Sequence, residues 1–227
     1  MNYLPRVPIV LAFTPNYFIP ATTTILSILK NSDDTDKFEI ICLLTDNLPS
    51  EMVQALEIWN PERLKFVFIN LEGHLDGIYI DERYTVAASY RLLLPNILPD
   101  YESVIYLDCD IIVRNNLAKL YYSIGLHNYY LAAVFEATLD FQRPYLEQIG
   151  CKPGEYINSG FLIMNLERMR MDNIVPKLIQ KLDNPNSNFP DQDALNIICQ
   201  GHILFLSPIY NSIRTYFLPQ YKEDFLR

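Results

Sequence analysis

The chain has 227 residues, enough for one large domain or two small ones with a substantial buried core. Its 27 acidic and 18 basic residues give a net charge of −9, which excludes the clustered Lys and Arg of a nucleic-acid binder, and no basic amphipathic stretch addresses anionic lipid. No apolar run approaches the about 18 residues of a membrane span, and the N-terminus lacks a signal-peptide pattern, so a cytoplasmic chain is expected, at most peripheral at the inner face of a membrane.

Val7 to Phe13 predicts a core strand, and Thr14, Pro15, Asn16 and Tyr17 form a turn before a helix from about Ile19 to Lys30. Phe38 to Leu44 is a second strand. Pro49 to Trp59 is a second helix, with Pro in its first turn and Glu51 near the positive end of its dipole. Leu64 to Ile69 is a third strand. Strands alternating with helices at this spacing predict an α/β fold, a mostly parallel Rossmann-like sheet with helices on both faces.

Ile78 to Arg83 is polar and irregular, and Thr85 to Leu94 reads as a helix that Pro95 and Pro99 break. It carries Arg91, a candidate for pinning an acidic or phosphate group and equally a solvated arginine or the structural partner of an acid. Val104 to Leu107 is a strand buried on both faces, followed by Asp108, Cys109, Asp110 and a renewed apolar run, Ile111 to Val113.

In an extended chain, positions i and i+2 share a side, so both carboxylates can face one target. Held that close, they call for a divalent cation, and oxygen ligands suit Mg²⁺ or Mn²⁺ completed by water and a phosphate ligand. A turn after a strand, with Asp capping the backbone, accounts for the same residues. Position favours the metal, because open α/β sheets bind ligands at the carboxyl ends of their strands.

A short helix near Leu117 to Tyr122 precedes the apolar run Tyr130 to Phe135, which ends at Glu136. Asn158, Ser159 and Gly160 then stand directly before another strand. Gly160 permits close backbone approach and the Asn158 amide suits sugar hydroxyls, although the three residues also make a good turn. A helix is expected from Glu167 to Leu182, a loop from Asn184 to Pro190, and a last helix opened by Asp191, Gln192 and Asp193, where one Asp satisfies free N–H groups. Tyr210 to Arg227 has no firm pattern. Cys42, Cys109, Cys151 and Cys199 fit reduced, buried thiols, and His74, His127 and His202 have no metal-ligand spacing. Without repeat or linker, one domain over residues 1–227 is expected.

Five stations in order resemble the family 8 glycosyltransferases, the retaining enzymes that include lipopolysaccharide galactosyl- and glucosyltransferases and the glycogenins. They are Ile9–Ala12 leading to Asn16–Tyr17, Tyr90–Leu92, Tyr106–Asp110 with Ile112–Val113, Tyr156–Gly160 through Asn165–Leu166, and Asp191–Asn196. The resemblance implies a GT-A fold that moves a hexose from a UDP-sugar to a glycan or lipid-linked glycan acceptor. Asp108 and Asp110, around Cys109, would hold Mn²⁺ or Mg²⁺ against the pyrophosphate. Ala12 to Tyr17 would hold the uridine, and Arg91, Glu136, Asn158, Ser159, Gly160, Asp191 and Gln192 the donor sugar, with Gln192 facing the anomeric carbon. Two departures stand out. Thr14 and Pro15 replace the acids usual after the first strand, and no His-x-x-Gly-x-x-Lys-Pro-Trp-like segment supplies a third metal ligand before Arg227. A truncated or shortened chain with weaker metal binding and impaired transfer is the corresponding expectation, and a non-catalytic nucleotide-sugar binder the alternative. A nucleotidyltransferase is disfavoured by the lack of a Gly-rich phosphate loop near the N-terminus.

Overall fold

The computed structural model describes residues 5–81, 84–213 and 217–218. Its strands are β1 (Val7–Phe13), β2 (Phe38–Leu44), β3 (Leu64–Asn70), β4 (Ser103–Leu107), β5 (Leu131–Phe135), β6 (Ile157–Asn165) and β7 (Ile203–Phe205). They form one sheet in the order β3-β2-β1-β4-β6-β5-β7. The first four strands are mutually parallel, β6 runs antiparallel to β4 and β5, and β7 is parallel to β5. β1 is buried along its whole length, as a central parallel strand covered on both faces must be.

The helices are α1 (Phe18–Lys30), α2 (Ser50–Glu57), α3 (Val86–Ser89), α4 (Leu94–Ile97), α5 (Leu117–Ser123), α6 (Arg143–Gln148), α7 (Leu166–Met171), α8 (Val175–Leu182) and α9 (Pro190–Ile198). The period of two along β1 divides the core. Ile9, Leu11 and Phe13 pack with residues of α1 and α5 on one face, while Val10 and Ala12 pack with residues of α3, α4 and α7 to α9 on the other. The expected fold, with helices on both faces of a mostly parallel sheet, is the one observed.

Three local expectations need correction. The helix expected over 85–94 is α3, a 3₁₀ turn over Tyr90–Leu93, and α4, with Pro95 at the start of the last piece. The helix expected over 167–182 is two helices. Asn173 adopts a left-handed φ of 47°, its N–H bonds Arg170 O at 2.9 Å, and the Ile174 N–H bonds Met169 O at 3.2 Å. That pair of bonds is a Schellman cap, sealed by Met169 and Ile174 in the same core cluster, and Pro176 then sits in the first turn of α8. Thirdly, Asn158, Ser159 and Gly160, expected directly before a strand, lie inside β6, whereas β4 ends at Leu107 as expected. Cys109 and Asp110 lie in a turn, and the apolar run Ile111 to Val113 is not a strand, with Ile112 60% exposed. Glu82 and Arg83, and most of the patternless C-terminal stretch, lie outside the described residues. All four cysteines are buried free thiols, and burial pushes the Cys42 and Cys199 thiols up to about 12. No helix among the described residues is long and apolar enough to cross a membrane.

Candidate functional site

The antiparallel course of β6 builds the site. Pairing Leu107 with Phe161 brings the start of β6 to the carboxyl end of β4, where the Asp108 N–H donates to Gly160 O at 2.8 Å. The polar stretch Asn158–Gly160, which lies within the strand, thus meets the acidic turn after β4. Contact is close enough to demand glycine. A Cβ on Gly160 would stand 2.7 Å from Asp108 Oδ2 and 3.0 Å from Asn158 Oδ1.

A cavity of 340 Å³ opens at this end of the sheet. Of the residues singled out from sequence, Ala12, Tyr17, Arg91, Asp108, Cys109, Asp110, Asn158, Ser159, Gly160, Asp191 and Gln192 line it. Asn16 does not, being exposed on the 3₁₀ turn Pro15–Tyr17, and Glu136 stands behind Gln192. Phe13 and Thr14, within the segment Ala12 to Tyr17 expected at the uridine, also line the wall, as do Tyr84, Thr85, Ala88, Tyr106 and Phe189, which were not anticipated as site residues. Tyr106 was close in sequence to an anticipated residue. Tyr84 and Phe189 are brought in by tertiary structure, through the Tyr84 hydroxyl bond to Asn188 O at 2.9 Å.

Arg91 is the electrostatic centre and is only 3% exposed. It donates to Asp108 Oδ1 at 2.8 Å, to Ala88 O at 2.7 Å and to Ser159 O, and its Nε lies 3.2 Å from Asp191 Oδ2. Its guanidinium carbon sits 4.3 Å from the centroid of the Tyr106 ring. Arg91 is thus the partner of two acids. Burial works to lower its pKa, and the fields of Asp108, Tyr106 and Asp191 overcome that and raise it. Burial also raises the Asp191 pKa, with Arg91 opposing. Among the described residues that line the cavity, three carboxylates, Asp108, Asp110 and Asp191, face one guanidinium, an excess of negative charge.

The other wall is built from amides. Gln192 Nε2 donates to Glu136 Oε2 at 2.9 Å and its Oε1 accepts from the Ser159 N–H at 2.9 Å, which fixes the side chain at both ends. The Ser159 hydroxyl reaches Asp191 Oδ2 at 3.2 Å. Burial raises the Glu136 pKa against the opposing effect of hydrogen bonds from Gln192 and Asn158. Below these residues, Asp193 accepts from the hydroxyls of Tyr145, Ser187 and Tyr156, the last at 2.5 Å, and from the Phe189 N–H at 3.2 Å. Asp193 is therefore the acid of the Asp-Gln-Asp triplet that satisfies a free N–H, fastening the 184–190 loop to α9.

Asp108 and Asp110 offer hard oxygen donors of the kind that Mg²⁺ and Mn²⁺ prefer. Arg91 engages Asp108 Oδ1, while Oδ2 faces Gly160 across a gap that a methyl group would fill. The donor set fits a divalent ion that draws its remaining ligands from water and a phosphate. Among the described residues, no group of three His, Cys, Asp or Glu side chains is placed to hold a metal by itself.

The seven-stranded α/β sheet matches the GT-A fold. The sequence model described as "Glycosyl transferase family 8" matches residues 8–225, and the chain belongs to that family. It is 29% identical to a putative glycosyltransferase of Haemophilus influenzae over 202 residues, covering 86% of this chain and 60% of that protein. It is 28% identical over 209 residues to a lipopolysaccharide 1,2-glucosyltransferase of Escherichia coli, covering 88% of this chain and 60% of that protein. The chain thus spans about 60% of the length of these relatives. The fold also superposes on the galactosyltransferase LgtC, solved with donor and acceptor sugar analogues. The TM-score is 0.76 at 22% identity, covering 95% of this chain and 82% of that one.

Proposed function

We propose that the chain is a retaining, metal-dependent hexosyltransferase. It moves galactose or glucose from a UDP-sugar to a cell-surface glycan acceptor such as lipopolysaccharide, acting as a single domain on the cytoplasmic side of the membrane. The observation that carries this reading is the joining, in one cavity, of a net-negative carboxylate cluster and a wall of fixed amides. A bare diphosphate is repelled by three acids whose guanidinium is already engaged, so the cavity suits a diphosphate that arrives with a divalent cation. Asp108 and Asp110 would hold that ion, Mn²⁺ or Mg²⁺, which as a Lewis acid supplies charge neutralisation for the leaving group.

The protein's own residues do the rest. Ala12, Tyr17 and the neighbouring Asn16 border the place for uridine, and Cys109 lies between the two acids. Asn158, Asp191 and Gln192 surround the donor hexose, with Glu136 and Ser159 holding Gln192 in orientation. The bond from the anomeric carbon to the UDP oxygen breaks, and the electron pair leaves with UDP. Positive charge then develops on the sugar, and the Gln192 carbonyl oxygen faces it. An amide is a poor nucleophile, so the acceptor hydroxyl attacks from the side UDP leaves and passes its proton to the departing phosphate oxygen, retaining configuration. This differs from the two-carboxylate double displacement of retaining hydrolases.

The test is incubation with UDP-glucose or UDP-galactose and Mn²⁺, measuring released UDP, with the anomeric configuration of the product read by NMR. UDP release that chelation abolishes and Mn²⁺ restores is the expected result. Tight binding of UDP and Mn²⁺ with no release would instead assign a nucleotide-sugar binder, and neither binding nor release would remove the reading altogether.

A further inference from the structure

The amide wall is held from outside its cavity. Asn158 Oδ1 accepts from the Gly160 N–H at 3.0 Å and from Asn211 Nδ2 at 2.7 Å, which engages both lone pairs of that oxygen. With its oxygen committed, the NH₂ group is the end that Asn158 has left to offer, and the influence of this amide on the Glu136 carboxyl opposes the rise in pKa that burial causes. The same carboxylate accepts from Gln192 Nε2. Asn211 is therefore the outer end of a row that runs through Asn158 and Glu136 to Gln192.

Asn211 belongs to a different part of the chain from its partners. It follows the turn Pro208–Tyr210 after β7, and its own backbone is pinned, with N–H to Pro208 O at 3.2 Å and O from the Ile213 N–H at 3.1 Å. It does not line the first cavity. It lines a second one, of 590 Å³, together with Ile111, Phe161, Tyr210 and Ser212. The two cavities share their walls, since Ile111 follows Asp110 and Phe161 follows Gly160. The bond from Asn211 to Asn158 is a polar link between them.

We propose that Asn211 is a positioning residue of the donor site: by donating to Asn158 it fixes which end of that amide meets Glu136, and so orients the Asn158–Glu136–Gln192 row. The inference rests on reading the first cavity as the UDP-sugar site. Without the Asn211 donor, the Asn158 amide gains a second orientation in which its oxygen opposes the Glu136 carboxylate. That is acceptor against acceptor, and it leaves Glu136 with one amide donor instead of two.

Three variants test this in the full chain. Asn211→Asp keeps the shape but offers only acceptors at neutral pH, Asn211→Ala deletes the group, and Asn211→Ser retains a hydroxyl donor. Asn211→Asp and Asn211→Ala are expected to lower kcat on the order of tenfold, the worth of one hydrogen bond held in the transition state, with UDP affinity changed less than about twofold. Asn211→Ser recovers part of the loss. As pH falls, the ratio of Asn211→Asp to wild-type kcat rises, because a protonated carboxyl donates again, while the ratio for Asn211→Ala stays flat. Losses from Asn211→Ala and Asn158→Ala do not add.

A readout independent of turnover is the side-chain amide NMR signal of Asn158, which shifts and exchanges faster with solvent in Asn211→Ala. Folded variants with unchanged kcat, or additive losses in the cycle, overturn the proposal. If the wild-type chain releases no UDP, the reading of the site fails, and the Asn158 amide signal then decides the positioning role by itself.

Discussion

The two halves of the sheet solve different problems. In the parallel half, β1, β2 and β4 are nearly continuous apolar runs, and polar function begins only where a strand stops, at Thr14 after β1 and Asp108 after β4. In the other half, β6 carries Asn158, Ser159 and Gly160 inside the strand, and the amides and Asp193 behind it are buried and tied down. The two acids after β4 are thus left at a rim that water and counterions reach, while the polar groups of the other half are built into the rigid ladder or tied down behind it. Arg91, bonded to Asp108 and to Ser159 O, and Gly160, whose O accepts from the Asp108 N–H, join the two halves.

The largest break comes from removing the shared cation. Arg91→Ala leaves Asp108 and the buried Asp191 without their partner, and unfolding in urea should show a loss of about 3 to 5 kcal/mol, the usual result of stripping one member from a buried ion pair. An unchanged midpoint would mean that the two acids are neutralised by other means. The second break is steric. Gly160→Ala drives a methyl group against Asp108 Oδ2 and is expected to cut UDP-sugar turnover on the order of 100-fold, a penalty typical of displacing reacting groups by about an ångström. Turnover within a factor of a few of wild type would show that the carboxylate moves aside freely.

Confined to the second half, Asp193→Asn keeps the shape but sets an NH₂ group against donors that now share one acceptor. A stability loss of about 1 to 2 kcal/mol is expected. Limited proteolysis should meanwhile become faster within the 184–190 loop. Equal cleavage of the two proteins would detach Asp193 from that loop.

The smallest effect is on pH dependence. Burial raises the Glu136 pKa above its ordinary 4.5, so the folded state binds that proton more tightly than the unfolded chain. The group's contribution to stability is therefore greatest at low pH. It falls as pH rises from the ordinary value through the raised folded value, and is level above that. Unfolding free energies of wild type minus Glu136→Gln, measured across this window, should decline with pH. A difference that grows with pH would give Glu136 a depressed pKa instead.

The same contrast governs what could be read from the sequence. β1 to β4, the acidic turn, Asn158–Gly160 and the Asp-Gln-Asp opening of α9 were legible, because burial on two faces leaves apolar runs and the polar interruptions stand out against them. Boundaries within the helical stretches were not. The breaks at Tyr90 and Asn173 are set by local turns and a left-handed cap that helical periodicity does not display. Position in the chain also hid the antiparallel direction of β6, β7 at the edge, and Asn211, whose partner lies 53 residues earlier. The commitment of Arg91 to Asp108 and Asp191 was one of two open readings, and only the packing chooses between them.

The outer strands of the sheet carry a further consequence. β7 is only three residues long and is soon followed by Pro208, which has no N–H to offer, while β3 at the opposite edge displays Lys65 in an ion pair with Glu39. Both margins offer poor templates for an extra chain. Among the described residues, a sheet so terminated gives a neighbouring strand little to pair with, despite the long apolar runs at its centre.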